Sequence, residues 1–108
     1  MKIDINQLEF IDRILRDIVM FVESFSGMEP TITSLYRIND SGVHGSLPLR
    51  GVDVRIRRIA IGHDIMTAIN NKWQYDDNRL TIKCAVLHGV GFNLHLHLQT
   101  HPNTKVKI

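Results

Sequence analysis

Leu94-His95-Leu96-His97-Leu98-Gln99 carries the clearest strand pattern in the chain. Leucine at every second position, with His, His and Gln between, is the two-residue period of a strand buried on one face. The leucines anchor that strand to a core. His95 and His97 then project together from the opposite face, about 6–7 Å apart along the chain. A second stretch repeats the pattern, with Val52, Val54 and Ile56 alternating with Asp53, Arg55 and Arg57. Asp is unfavourable in strands, and the packing of its neighbours turns the Asp53 carboxylate onto the open face. Strands apolar on one face predict an antiparallel sheet covered by helices on that side.

Outward from these strands, Asn6 followed by Glu9 reads as a helix N-cap with its capping partner. Leu8, Ile11, Leu15, Ile18, Val22 and Phe25 follow at helical spacing, Gly27 closes the helix, and Pro30 prevents its resumption. This predicts one amphipathic helix of about five turns, with Asp12, Arg13, Arg16, Asp17 and Glu23 on its solvated face. Residues 31–37 read as a strand, and Asn39-Asp40-Ser41-Gly42 as turn chemistry opening a loop to Pro48. Ile61, Ile65, Ala68, Ile69 and Trp73 predict a second helix. A third strand is expected from Leu80 to Leu87, with Ile82, Cys84 and Val86 pointing one way. Gly89-Val90-Gly91 turns the chain into the last strand. The order α-β-β-α-β-β predicts an α+β domain spanning 1–108, with about four antiparallel strands and two helices packed on one face.

The chain has 108 residues, of which 44% are hydrophobic, too many for a disordered tail. No apolar run approaches the roughly 18 residues of a membrane span, and the N-terminal residues lack a secretory h-region. Cytoplasmic synthesis without a signal peptide is the expectation. Thirteen Lys and Arg against eleven Asp and Glu leave a formal charge of +2, so no strong field for nucleic acid is expected. The Arg50, Arg55, Arg57 and Arg58 cluster reads as a solvated strand edge, from which Arg55 or Arg57 could greet an anionic substrate. One cysteine, Cys84, cannot form an internal disulfide. Its parity places it in the core. Six histidines are the compositional surplus.

Asp53, His95 and His97 share the open face, and His44 stands in a Gly-flanked loop leading into the Asp53 strand. Two imidazoles and a carboxylate suit zinc, which takes such donors at about 2.0–2.2 Å and leaves its fourth position to water in catalytic sites. His44, Asp53 and His97 are the candidate metal ligands. His95 is placed to orient the water or steady developing negative charge.

Ser34-Leu35-Tyr36-Arg37, Ser41-Gly42-Val43-His44, Arg50-Gly51-Val52-Asp53 and His95-Leu96-His97 occur in an order that resembles the zinc D-alanyl-D-alanine peptidases. That family shares its fold with the hedgehog signalling domain and, more widely, with lysostaphin-type endopeptidases. The resemblance covers about residues 31 to 100. It implies zinc ligation by His44, Asp53 and His97, substrate or oxyanion contact by Arg37, and catalytic assistance by His95. It also implies a peptide substrate from peptidoglycan. The compact form is most similar to bacteriophage-encoded members, which act when released to the cell wall. Two departures stand out. The interval from His44 to Asp53 is two residues longer than usual for the family, and Leu94 stands where many members carry a general-base glutamate.

Two other readings attach to the same residues. His95-Leu96-His97-Leu98-Gln99 also resembles the His-x-His-x-Gln signature of histidine-triad nucleotide transferases, in which a strand histidine attacks an α-phosphate. That reading gives Arg37, His44 and Asp53 no role. A catalytically silent phage structural protein retaining a metal is the third. His63, followed by Asp64, reads as a surface residue of the second helix, and His88 and His101 flank the last hairpin, where either could support the site.

Overall fold

A computed structural model describes residues 11–27, 29–36 and 49–107. Asn6, Glu9, Arg37, His44 and the loop at 39–48 lie outside them. In chain order the elements are α1 (Arg13–Ser26), β1 (Ile32–Tyr36), β2 (Gly51–Arg55), α2 (Ile59–Lys72), β3 (Trp73–Gln74), β4 (Ala85–His88), a 3-10 turn (Gly91–Asn93), β5 (His95–Gln99) and β6 (Lys105–Val106). Four strands form an antiparallel sheet in the order β1-β2-β5-β4, and β3 pairs with β6. The fold is α+β, with both helices packed on the sheet.

The core follows the alternation of the two central strands. Val52, Val54, Ile56, Leu94, Leu96 and Leu98 are all buried. They meet Leu15, Ile18, Val19 and Val22 of α1 and Ile65 and Ile69 of α2. Each aliphatic side chain fully buried there contributes about 1.5–3 kcal/mol. Gly62 lets α2 approach closely: a Cβ at that position would lie 2.9 Å from Leu87 Cδ1 and 3.0 Å from Ile56 Cγ2.

The first described helix starts at Arg13, later than the capping pattern at Asn6 predicts for it. Asp12 has φ −52° and ψ 136°, outside the helical region, and its Oδ2 accepts from the Leu15 N–H at 3.0 Å. Asp12 is thus the N-cap and not part of a solvated face. Long-range bonds hold it there. Its Oδ2 also accepts from Thr100 Oγ1 at 3.0 Å, its N–H donates to Leu49 O at 2.9 Å, and Ile11 bridges Leu49 in parallel. At the other end Gly27 takes φ 72° and donates to Glu23 O, the left-handed cap its position predicts.

The third strand is also corrected. Leu80 and Thr81 lie in a turn, and pairing begins only at Ala85. The Asn70 side-chain amide sets that start, donating to Ala85 O at 2.8 Å and accepting from Ala85 N–H at 3.0 Å. Cys84 is fully buried but precedes the strand at a bend, so parity does not run through it. Ala85 and Leu87 oppose Leu98 and Leu96, whereas Val86 opposes His97 on the open face. Trp73, expected on the second helix, ends it and opens β3 against Val106. Arg50 leaves the solvated arginine edge: its side chain is mostly buried, with Nε 3.9 Å from Asp12 Oδ1. No described helix is long and apolar enough to cross a membrane.

Candidate functional site on the open sheet face

Register brings the site together. Asp53 is the direct cross-strand partner of His97, with Ser34 beyond Asp53 on β1 and Val86 beyond His97 on β4. The next row holds Arg55, His95 and His88. Directly opposed residues in a sheet share a face, with Cβ atoms about 4.5–5.5 Å apart. The open face therefore collects one carboxylate and three imidazoles.

His97 Nδ1 lies 3.0 Å from Asp53 Oδ1, and both side chains are about four-fifths buried or slightly less, at 18% and 24% exposure. His97 Nε2 lies 3.1 Å from Gln99 Oε1. Gln99 cannot usefully turn its amide around, because its Nε2 donates to Lys83 O at 2.8 Å. Both nitrogens of the His97 ring thus face oxygen acceptors. A neutral imidazole donates from one nitrogen only, so which of the two oxygens receives the ring proton depends on the tautomer.

The spacing of the pair is that of a hydrogen bond. Two donors at about 2.0–2.2 Å from one tetrahedral ion stand roughly 3.4 Å apart. Asp53 Oδ1 and His97 Nδ1 need to open by only a few tenths of an ångström. Among the described residues, no group of three or more His, Cys, Asp or Glu side chains is arranged to hold a metal ion. His44 and Arg37 lie outside those residues, so the pair Asp53–His97 is the part of the expected constellation that the structure brings together.

His95 occupies the adjacent row, its Nδ1 2.7 Å from Asn93 O. A carbonyl accepts only, so Nδ1 carries the proton and Nε2 is the basic nitrogen. His88 was the missed member. Its ring centroid lies 5.5 Å from that of His95 and 5.9 Å from that of His97. The signal that finds it is its two-residue separation from Val86, once Val86 is known to face outward. His63 is exposed on α2. His101 belongs to a separate turn, where its Nδ1 accepts from Asn103 N–H at 3.1 Å and stands 3.8 Å from Asp76 Oδ2. The Asn78 N–H and the Arg79 side chain hold Asp76 below the ordinary carboxylate range. Burial pushes the Cys84 thiol up to about 12, which suits a core residue and not a ligand.

Comparison with protein-family models, with curated proteins and with solved structures found no match to this chain.

Proposed function

We propose that this chain is a zinc-centred peptide hydrolase, with Asp53 and His97 as two ligands and His44 as the third. The observation that carries the reading is the 3.0 Å approach of His97 Nδ1 to Asp53 Oδ1, on a ring whose other nitrogen already faces Gln99 Oε1. Asp53 and His97 would hold the cation with His44, and Gln99 Oε1 would accept from the remaining ring nitrogen of His97. A bound zinc ion would polarise a scissile carbonyl and bring its water to a pKa near 7.

The chain's own residues then divide the work. Asp53 and His97 hold the cation, and Gln99 fixes the ring of His97, as hydrogen-bonded partners of metal-binding histidines do. His95, with Nδ1 committed to Asn93 O, offers Nε2 to take a proton from the attacking water. It thereby fills the role of the glutamate that Leu94 replaces. Arg37 is assigned, by resemblance, to the substrate carbonyl or the oxyanion. Peptidoglycan stem peptides are the proposed substrate, and release to the cell wall the proposed setting. Contact with nucleic acid or membrane forms no part of it.

The nucleotide-transferase reading needs a ring nitrogen of His97 to attack phosphorus. Gln99 Oε1 at Nε2 and Asp53 Oδ1 at Nδ1 weigh against that. The test is digestion of purified muropeptides by the zinc-loaded protein, followed by mass spectrometry. Cleavage at a peptide bond, lost in His97→Ala and at least tenfold reduced in His95→Ala, is the expected result (about 1.4 kcal/mol of transition-state stabilisation or more). Stoichiometric zinc without cleavage of any muropeptide would favour the silent structural reading.

A further inference from the structure

Beyond the metal site, the end of the sheet carries a cavity of about 350 Å³ between α1, the exit of β2 and the start of α2. Val22, Val54, Ile56 and Ile65, all buried, form its aliphatic floor, and half-exposed Ile61 stands at its lip. Arg55, Arg57 and Arg58 line it too, and all three are exposed. Among the described residues, no carboxylate pairs with any of these guanidinium groups. Glu29 is the one acidic group in the lining, leaving the wall strongly cationic. Arg55, Ile56 and Arg57 also line a second concavity, closed by Gly91 and Phe92 of the β4–β5 turn. Phe92 is fully exposed, and its neighbour Val90 nearly so.

We propose that this groove docks an extended acidic segment of a partner protein, anchored by an aliphatic side chain in the cavity. The charge pattern selects the occupant. An extended peptide places alternate side chains about 6–7 Å apart, which matches cations two positions apart at Arg55 and Arg57. A lone small carboxylate would leave two of the three arginines unmatched. The shared strip from Arg55 to Arg57 links the cavity to the second concavity at Phe92, a shape suited to an extended chain. Arginine beside exposed aromatic and aliphatic side chains is also the composition enriched in protein interfaces. Nucleic acid fits less well, because the cavity floor is aliphatic and Phe92 is the one aromatic side chain in the two linings, too few for successive bases to stack.

The proposal does not rest on the metal site, and the test keeps the two apart. Fluorescence anisotropy of the full chain is measured with a labelled peptide alternating Asp and Leu, and with the same peptide carrying Asn for Asp or Ser for Leu. A labelled oligouridylate is titrated in parallel. The expected result is saturable binding of the Asp-Leu peptide, weakened about tenfold or more by either change in the peptide, by added salt, and by Arg57→Gln with Arg58→Gln. Ile61→Asp should weaken it similarly, and His97→Ala should leave it unchanged. Circular dichroism of each variant confirms the fold. Equal binding of the Asn-Leu peptide, indifference to the arginine changes, tighter binding of oligouridylate, or no binding of the Asp-Leu peptide would overturn the proposal.

Discussion

His97 and Asp53 are direct partners across β5 and β2, and their Nδ1 and Oδ1 atoms stand 3.0 Å apart. Gln99, two residues along the same face, holds the other side of the His97 ring and is itself tied to Lys83 O. This makes Gln99 a positioning residue whose effect can be separated from folding. Gln99→Ala is expected to weaken zinc binding about 10- to 100-fold, measured by competition with a chromogenic chelator. The urea midpoint should move little, because Gln99 stands on the open face.

Asp12 joins the start of α1 to the end of β5 through Leu15 N–H and Thr100 Oγ1. Asp12→Ala should cost about 1–2 kcal/mol from the cap, read as a lower urea midpoint at unchanged slope. Thr100→Val combined with it should cost less than the two changes summed, since both remove one shared bond. Full additivity would contradict the shared contact.

These two residues also show where sequence reading stopped. The alternation of Val52, Val54 and Ile56, and of Leu94, Leu96 and Leu98, was legible because sheet burial has a period of two and needs no distant information. Gly27 was legible as a left-handed cap for the same local reason. The true helix start was not. Asn6 carries the stronger local capping pattern, but Asp12 is held by Leu49 and Thr100, and the latter lies 88 residues away. In the site, the parity of Asp53, His95 and His97 was legible, whereas His88 was hidden by a single-residue error. Carrying strand parity through the bend at Cys84 turns Val86 inward and His88 with it. The Asn70 amide that starts β4 at Ala85 comes from another element.

Gly89 and Gly91 separate conformational need from space. Gly89 has φ 84°, and a Cβ there would meet Asn93 O at 2.2 Å, whereas Gly91 has φ 57° with open space around it. Gly91→Ala should cost about 1–2 kcal/mol, the left-handed penalty alone. Gly89→Ala should cost clearly more, because backbone must move. It should also shift the ring resonances of His88 and His95, which flank the turn, in a two-dimensional NMR spectrum.

Cys84 carries a pH dependence of defined sign. Its thiol titrates near 9.0 when unperturbed and is pushed up to about 12 by burial. The unfolded chain therefore loses this proton first, and stability from Cys84 is intact below pH 9 and declines from there towards 12. Thermal melts of wild type and Cys84→Ala between pH 8 and 11 should converge as pH rises. The native thiol should resist alkylation at pH 8 and react only on unfolding.

The proposed function requires the Asp53–His97 pair to hold a cation. Its most direct test is elemental analysis of the full chain purified from metal-replete cells without chelators. The expected result is close to one zinc per chain, lost in His97→Ala and in Asp53→Ala while both variants keep the wild-type circular dichroism spectrum. Zinc-free wild-type protein that also takes up none on dialysis against zinc would contradict it.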